Sequence, residues 1–234
     1  MLNTAIILAG GFGTRLQSVV KELPKPMAPV NGKPFLEYVL KYCAHHQLKK
    51  VVLSVGYKHE AIQNLFGNKF GEIEIEYCIE ENPLGTGGAI KAAMKNVSDE
   101  NVLILNGDTF FNVNVADLYS KHVQAKSVCS IALKPMKNFD RYGIVSVDSE
   151  NLISGFEEKS FRESGNINGG VYVLNKNIEP HFPSQEIFSF EKDFMEKKFA
   201  KLNIKGFLFD DYFIDIGIPE DYNRAQHELA GITY

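Results

Sequence analysis

The chain has 234 residues, of which 44% are hydrophobic and 23% are charged, and its formal net charge is −4. This composition is typical of a globular protein and argues against a disordered chain. The acidic balance and the absence of a basic block argue against a nucleic-acid partner. No run of about 18 apolar residues is present, so a membrane partner is not expected either. If the ligand is a polyanion, we expect this acidic chain to recruit a cation.

The cysteines and the N-terminus favour one cellular compartment. Cys43, Cys78 and Cys129 lie in apolar runs without C-x-x-C spacing, which predicts buried, reduced thiols. No basic segment precedes the short apolar run at the N-terminus, so a signal peptide is not expected. These features predict a cytoplasmic protein, and the sequence leaves a homo-oligomer open.

The first half alternates between two periodicities. Apolar runs predict strands at 4–9, 50–55, 73–79 and 101–106, and helical spacing predicts helices at 34–46, 59–66, 88–97 and 115–124. Several strands are apolar on both faces, as in a parallel sheet that helices cover on both sides. The order strand, helix, strand predicts an α/β fold with a doubly wound, mostly parallel sheet.

The second half of the chain is predicted to contain mostly strands, with few helices between them. Strands are predicted at 127–133, 143–147, 152–156, 170–174 and 201–209, and helices at 190–199 and 219–229. No Pro-, Gly- or Ser-rich linker separates the halves. We therefore expect a single domain over 1–234, with one lobe at 1–125 and a mixed, β-rich lobe at 126–234.

A glycine-rich loop follows the first strand in "LAGGFGTRL" (8–16). Glycine amides after a buried strand can form an anion nest, and Arg15 adds a fork-shaped donor for phosphate oxygens. The loop lacks the third glycine of a dinucleotide-binding fingerprint and the lysine of a Walker A loop. A phosphate site is favoured over a plain glycine turn.

A second stretch, "ELPKPM" (22–27), holds Lys25 between two prolines. Proline fixes φ, so the ammonium lies on a stiffened segment, as a phosphoryl-transfer site requires. An ordinary surface loop is the alternative.

A third stretch, "EENPLGTGGA" (80–89), combines acidic residues with glycines. The glycines would permit close contact with a flat ring, and an adjacent carboxylate could accept from the N–H edge of guanine. They could instead cap the helix that follows.

Two aspartates are candidates for a metal site. Asp108 follows a buried strand, at the edge where open parallel sheets bind ligands, and Asp215 lies in an apolar strand. Mg²⁺ takes one or two carboxylates plus substrate phosphates, so this pair could hold it. The alternatives are a turn-forming Asp108 and an Asp215 paired with a basic residue.

Two later stretches of the sequence are also candidates for the site. "FEEK" (156–159) pairs a carboxylate with an ammonium, which suits a sugar phosphate, although plain surface charge is the alternative. "NGGVY" (168–172) is a strand whose missing side chains could leave room for a ligand.

In this order, these stretches resemble the sugar-1-phosphate nucleotidylyltransferases over nearly the whole chain. The signature of that family is L-A-G-G-x-G-T-R-L followed by P-K-P, and "LNGD", "NGGVYV" and "FIDIGIPEDY" follow here. The resemblance implies a Rossmann-like, GT-A-like fold, Mg²⁺ as cofactor, and an NTP and a sugar 1-phosphate as substrates.

The resemblance also implies roles for individual residues. Arg15 and Lys25 would be catalytic, Asp108 and Asp215 would bind the metal, and two larger groups would bind the substrates. The nucleotide group is Leu8, Ala9, Gly10, Gly11, Gly13, Thr14, Glu81, Gly85, Gly88 and Asp108. The sugar group is Gly143, Glu158, Lys159, Asn168 and Gly169.

Within the family, "LPKPMAPVNGKPFLEY" and "INGGVYVL" are similar to the D-glycero-α-D-manno-heptose 1-phosphate guanylyltransferases. This similarity implies transfer from GTP to the heptose 1-phosphate, giving GDP-heptose for surface polysaccharide. Gly87 departs from the alanine usual in mannose enzymes. The alternatives are GTP with mannose 1-phosphate, CTP with glucose 1-phosphate, or a non-catalytic nucleotide-sugar sensor.

Overall fold

A computed structural model describes residues 2–11, 16 and 23–232. The strands are β1 (Thr4–Leu8), β2 (Pro29–Val30), β3 (Lys33–Pro34), β4 (Lys50–Val55), β5 (Lys69–Phe70), β6 (Ile73–Ile79), β7 (Asn101–Asn106), β8 (Thr109–Phe111), β9 (Cys129–Phe139), β10 (Ile144–Val147), β11 (Ile153–Glu157), β12 (Arg162–Asn175), β13 (Ile204–Leu208) and β14 (Phe213–Asp215). The helices are α1 (Phe35–His45), α2 (His59–Phe66), α3 (Gly85–Ala93), α4 (Val115–Gln124), α5 (Glu196–Lys198) and α6 (Pro219–Glu228).

One large sheet carries the site. Its strands follow the order β11-β10-β12-β7-β1-β4-β6-β5, with β9 paired to β12 and β13 paired to β9. The four first-half strands β7, β1, β4 and β6 are parallel, whereas β12 joins β7 in the antiparallel direction. The predicted α/β fold with a largely parallel central sheet is confirmed, and the second half extends it with antiparallel strands.

The apolar runs of the central strands are explained by burial on both faces. Adjacent residues of a strand point to opposite faces, and Ile6 and Ile7 of β1 are both fully buried. Ile7 belongs to the core that includes Leu36 of α1, and Ile6 to the core that includes Ile90 of α3. Each such side chain contributes about 1.5–3 kcal/mol through its burial.

The largest differences from the predicted elements lie in the second half. β9 and β12 extend well beyond the predicted 127–133 and 170–174, because their polar ends pair with each other as a long antiparallel ribbon. Backbone hydrogen bonds define these ends, so apolar periodicity did not reveal them. The helix predicted at 190–199 begins with a π-helical turn, Phe190–Met195, and continues as α5.

The cysteines largely follow the prediction. All three are free; Cys43 and Cys129 are buried, whereas Cys78 is half-buried. Burial raises the pKa of the Cys43 thiol to about 12. None of the described helices has the length and apolar character needed to cross a membrane.

His122 of α4 makes the stability of the fold dependent on pH. Its ring is 2% exposed, with Nδ1 2.9 Å from Ser130 Oγ and Nε2 3.0 Å from Asn101 Oδ1. Burial lowers the pKa of His122 to about 4. The His122 imidazole therefore binds a proton near pH 6.5 in the unfolded chain, but only near pH 4 in the folded chain. This contribution to stability is present above pH 6.5 and is lost as the pH falls toward 4.

We expect His122→Gln to flatten this dependence. Between pH 6.5 and 4.5 the free energy of unfolding of the parent should fall by about 2 kcal/mol more than that of the variant. Denaturant titrations at both pH values measure the difference. His227→Gln, at an exposed histidine of α6, is the matched control. Parallel pH profiles for the parent and His122→Gln would contradict the assignment.

Candidate active site

The carboxyl ends of the parallel strands form one edge of the sheet. β1 and β7 are in register there, with Leu8 opposite Asn106. The Ala9 amide donates to the Ser54 carbonyl at 2.7 Å, and the Gly107 amide donates to the Leu8 carbonyl at 2.9 Å. These bonds bring the residues after β1 and after β7 together at the position where open α/β sheets bind ligands.

A cavity of about 380 Å³ opens at this edge, and we call it the strand-end cavity. Its described lining consists of Leu8, Gly10, Gly11, Lys25, Pro26, Glu80, Pro83, Gly85, Thr86, Ala89, Asn106, Asp108 and Gly217. The structure thus brings six predicted site residues together, and Ala9 is buried directly beside them. Gly13, Thr14 and Arg15 lie outside the described residues.

Glu80, and not the predicted Glu81, lines this cavity together with Asp108. Glu81 is exposed and is absent from the lining. The Glu80 carboxylate accepts from Ser54 Oγ at 2.9 Å and from the Leu84 amide at 3.1 Å. The residue that directly follows β6 faces the sheet edge, and the next residue already points to solvent.

Gly85, Gly87 and Gly88 pack closely against the segment that contains Glu186 and Phe188. A Cβ on Gly87 would lie 2.1 Å from Cε2 of Phe188, and one on Gly88 would lie 2.2 Å from the Glu186 carbonyl oxygen. Gly88 packs against this segment and is absent from the described lining of the strand-end cavity, and its nucleotide-binding role stays a prediction. Gly85 lines the cavity; its φ is +71, and a Cβ there would lie 2.6 Å from the Phe188 carbonyl oxygen.

We expect Gly87→Ala to destabilise the fold, because the Phe188 ring is held by the core and cannot move freely aside. Overpacking of this kind costs about 1–3 kcal/mol. Thermal or chemical unfolding measures the loss, and Phe188→Leu should restore part of it. Gly155→Ala is the matched control, since a Cβ there meets nothing within 4 Å. Equal stability of the two alanine variants would refute this account of Gly87.

A second cavity, of about 390 Å³, lies beside the hairpin of β10 and β11, and we call it the hairpin cavity. It is lined by Asn106, Thr109, Tyr142, Gly143, Ile144, Val145, Phe156, Glu157, Glu158, Lys159, Asn168, Gly169, Gly170, Tyr172, Ser189, Glu191, Lys192, Glu196, Phe213 and Asp215. All five residues predicted for sugar binding, Gly143, Glu158, Lys159, Asn168 and Gly169, are in this lining. Asn106 lines both cavities.

The glycines of "NGGVY" line the hairpin cavity, and the space that their missing side chains leave is filled by neighbouring protein side chains. A Cβ on Gly169 would lie 2.3 Å from the Phe111 ring, and one on Gly170, at φ +72, would lie 2.6 Å from Asn106 Nδ2. The pairing of β12 with β9 shifts register between Asn168 and Tyr172. This irregularity leaves Asn168 at the cavity wall, where its Oδ1 accepts from the Gly170 amide at 3.0 Å.

Three charged groups stand where the two cavities meet. β14 pairs with β8, which sets Asp215 opposite Thr109 and beside Asp108. Lys25 Nζ lies 2.5 Å from Asp108 Oδ2 and 3.6 Å from Asp215 Oδ1. Lys25 begins a short 3₁₀ turn, Lys25–Met27, with Pro24 before it and Pro26 inside it, and only 9% of its side chain is exposed. Lys25 therefore lies on a rigid turn, and Asp215 has a basic partner.

Two carboxylates, of Asp108 and Asp215, lie beside the single ammonium group of Lys25, so further positive charge would be stabilised there. Burial of Asp215 raises the pKa of its carboxyl group, and the Asp108 carboxylate raises it further, while Lys25 opposes both. A divalent cation would relieve this repulsion. Residues 2–11, 16 and 23–232 contain no cluster of three or more His, Cys, Asp or Glu suited to a metal. Two aspartates alone fit a Mg²⁺ ion that takes its other ligands from phosphates and water.

Sequence reasoning missed several lining residues. Glu80 could have been found, because it is the first residue after a predicted strand. Tyr142 is adjacent to the predicted Gly143 and lines the same cavity. Thr86 and Glu191 carry no local signal that links them, since they are 105 positions apart and meet only in the folded chain.

Comparisons with known proteins show the family of this chain. A sequence profile of the nucleotidyl transferase family matches residues 4–231. The D-glycero-alpha-D-manno-heptose 1-phosphate guanylyltransferase of Aneurinibacillus thermoaerophilus is 52% identical, covering 96% of this chain and 97% of its own. The protein of the same name from Campylobacter jejuni is 51% identical, covering 93% and 96%. The crystal structure of HddC from Yersinia pseudotuberculosis complexed with GMP-PN superposes with a TM-score of 0.86 at 35% identity, covering 97% of this chain and 100% of that one.

Proposed function

We propose that this chain, which belongs to the nucleotidyl transferase family, transfers GMP from GTP to D-glycero-α-D-manno-heptose 1-phosphate, giving GDP-heptose and pyrophosphate. The observation that carries the reaction class is the meeting of two cavities at Lys25, Asp108 and Asp215. The substrate pair is supported by the names of the relatives that are 52% and 51% identical, and by the HddC complex with GMP-PN, a guanine nucleotide.

We assign the strand-end cavity to the nucleotide and the hairpin cavity to the sugar phosphate. Apart from Gly217, the lining of the first comes from residues 8–108, and that of the second mostly from residues 142–215. This division supports the two lobes at 1–125 and 126–234. Gly10 and Gly11 would approach the phosphates, and Glu80 replaces Glu81 as the carboxylate near the base. Glu158, Lys159 and Asn168 would hold the sugar phosphate.

The reaction is an in-line displacement. An oxygen of the sugar 1-phosphate attacks the α-phosphorus of GTP, a new P–O bond forms, and the bond to the β-phosphate oxygen breaks, so pyrophosphate leaves. A phosphate monoester is already anionic near pH 7, because its second pKa is about 6, and the step needs no general base.

Lys25 stabilises the negative charge of the phosphates during the transfer. Its ammonium lies at the junction of the cavities, where it can neutralise charge on the α-phosphate and on the incoming phosphate. Asp108 and Asp215 would hold Mg²⁺, which when bound supplies further positive charge to the phosphate oxygens. Arg15, outside the described residues, stays assigned to the departing pyrophosphate.

The compartment and the product's use complete the proposal. The three free cysteines support a cytoplasmic location, since thiols persist in a reducing compartment. GDP-heptose would then be a donor for surface polysaccharide.

The test is pyrophosphate release in Mg²⁺ buffer. GTP, CTP, UTP, dTTP and ATP are each crossed with the 1-phosphates of heptose, mannose and glucose. We expect release with GTP and the heptose 1-phosphate. Release with another pair would keep the reaction class and refute the proposed pair. No release with any pair, together with binding of a nucleotide sugar, would indicate a sensor instead.

A further inference from the structure

A short segment of the second half clamps the start of α3 and so connects the two cavities. The Phe188 carbonyl accepts from the amides of Gly87 and Gly88 at 3.0 and 3.3 Å, and the Phe188 amide donates to the Leu84 carbonyl at 3.0 Å. Amides at a helix N-terminus have no partner within the helix, so this carbonyl caps α3. The start of α3, in the strand-end cavity, cannot move independently of the segment around Phe188, which borders the hairpin cavity.

Thr86 extends this contact through side chains. Its Oγ1 donates to Glu191 Oε2 at 2.7 Å and accepts from the Phe190 amide at 2.9 Å. Thr86 lines the strand-end cavity and Glu191 lines the hairpin cavity. A hydrogen bond to a carboxylate is stronger than one between neutral groups, so it is a firm link between the two walls.

From Glu191 the hydrogen bonds continue to Asn168. The Tyr172 hydroxyl donates to Glu191 Oε1 at 3.2 Å and accepts from Asn168 Nδ2 at 2.8 Å. Tyr172 is 1% exposed, so water cannot replace either partner easily. With Asn168 Oδ1 bound to the Gly170 amide, both ends of the Asn168 side-chain amide are held in one orientation.

We propose that Thr86, Glu191 and Tyr172 form a positioning relay through which the nucleotide-binding wall fixes Asn168 in the sugar-phosphate cavity, so that the two substrates bind cooperatively. The inference rests on the proposed function. Because these hydrogen bonds join the two walls, a substrate that further restricts the motion of one wall also restricts the other, and the second substrate then loses less conformational freedom on binding. The coupling must be reciprocal: each substrate changes the affinity for the other by the same factor.

The experiment is calorimetric titration of heptose 1-phosphate into the full chain in Mg²⁺ buffer. It is run with and without GMPCPP, the α,β-methylene analogue of GTP, whose α–β bond is not cleaved. We expect the analogue to tighten binding of the heptose 1-phosphate by about 5-fold or more, within the usual range of allosteric coupling. Tyr172→Phe and Thr86→Val should both bring this factor close to one. In Tyr172→Phe, which lies outside the strand-end cavity, the affinity for GMPCPP alone should change by less than about 3-fold.

Two further variants separate a relay from a general structural effect. Glu191→Gln should also abolish the coupling, and Thr86→Val added to Glu191→Gln should cause no further loss, because the two residues act through one bond. Glu37→Gln, on the surface of α1 and paired with lysines there, should leave the coupling unchanged. Thermal unfolding of each variant shows whether it is folded, and Tyr172→Phe, which removes a single oxygen, is the mildest change.

Different outcomes overturn different parts of the account. A wild-type factor of one, or an unchanged factor in Tyr172→Phe and Thr86→Val, would refute the relay while leaving the transfer reaction intact. If another sugar 1-phosphate proves to be the substrate, the titration is made with that sugar, and the relay is judged by the same factors. Failure of every sugar 1-phosphate to bind would overturn the relay together with the proposed function, and the pyrophosphate assay would show the latter separately.

Discussion

Asp108→Asn is expected to abolish transfer while leaving the fold intact. The substitution keeps the shape of the side chain but removes one of the two carboxylates between the cavities. A neutral amide is a much weaker ligand for Mg²⁺ than a carboxylate. We expect kcat to fall by about 10³-fold, the upper end of the range seen when an essential electrostatic group is removed. Pyrophosphate release with saturating substrates measures the effect.

The control for this variant tests the charge change alone. Asp117→Asn removes an exposed aspartate of α4 that pairs with Lys121, so it changes the net charge equally but far from the cavities. It should retain parental rates. Parental rates for Asp108→Asn in Mg²⁺ buffer would remove Asp108 from the proposed metal site.

Lys25→Ala is expected to lower kcat by about 10²–10³-fold, with a smaller change in the KM for GTP. The reason is the position of the ammonium, which lies against both aspartates and between the two cavities. Its charge is most useful when negative charge accumulates during transfer, so its removal should affect the transition state more than the ground state. Steady-state kinetics with each substrate varied in turn separates kcat from the two KM values.

The role of Lys25 is tested by a matched lysine variant and by whether kcat or the KM for GTP changes. Lys33→Ala, at an exposed lysine of β3, removes the same group without touching either cavity and should leave kcat unchanged. A loss in Lys25→Ala that is confined to the KM for GTP, with kcat preserved, would make Lys25 a nucleotide-binding residue instead.

The sequence predicted the central strands well because each is a local pattern with one physical cause. The strands at 50–55 and 101–106 begin and end where they were expected, since their apolar runs are long, continuous and bounded by polar residues. The helix at 115–124 was equally well defined by its cap, because Asn114 Oδ1 accepts from the Asp117 amide at 3.0 Å. The polar ends of β9 and β12 had no such pattern.

The sequence also indicated which stretches belong to the site, but not which atoms face the cavities. Strand ends place ligand-binding residues at one edge, and this rule selected the region around Asp108, which lines the strand-end cavity. It did not distinguish Glu80 from Glu81, because consecutive residues of an extended chain point to opposite sides. The glycines at 87 and 169 were recognised as positions of close approach, whereas only the fold shows that Phe188 and Phe111 are what approach them.

By itself, the sequence determined the fold class, the family resemblance and the chemical groups of the site, because periodicity and ordered motifs depend on neighbours along the chain. The tertiary structure decided everything that depends on contacts between distant segments. It set Asp215 beside Asp108 through the pairing of β14 with β8, and Lys25 between them. It also joined Thr86 to Glu191 and Tyr172, which no local pattern connects. Such contacts depend on which strands pair and on how distant segments pack against one another, and a pattern of neighbouring residues along the chain does not specify either.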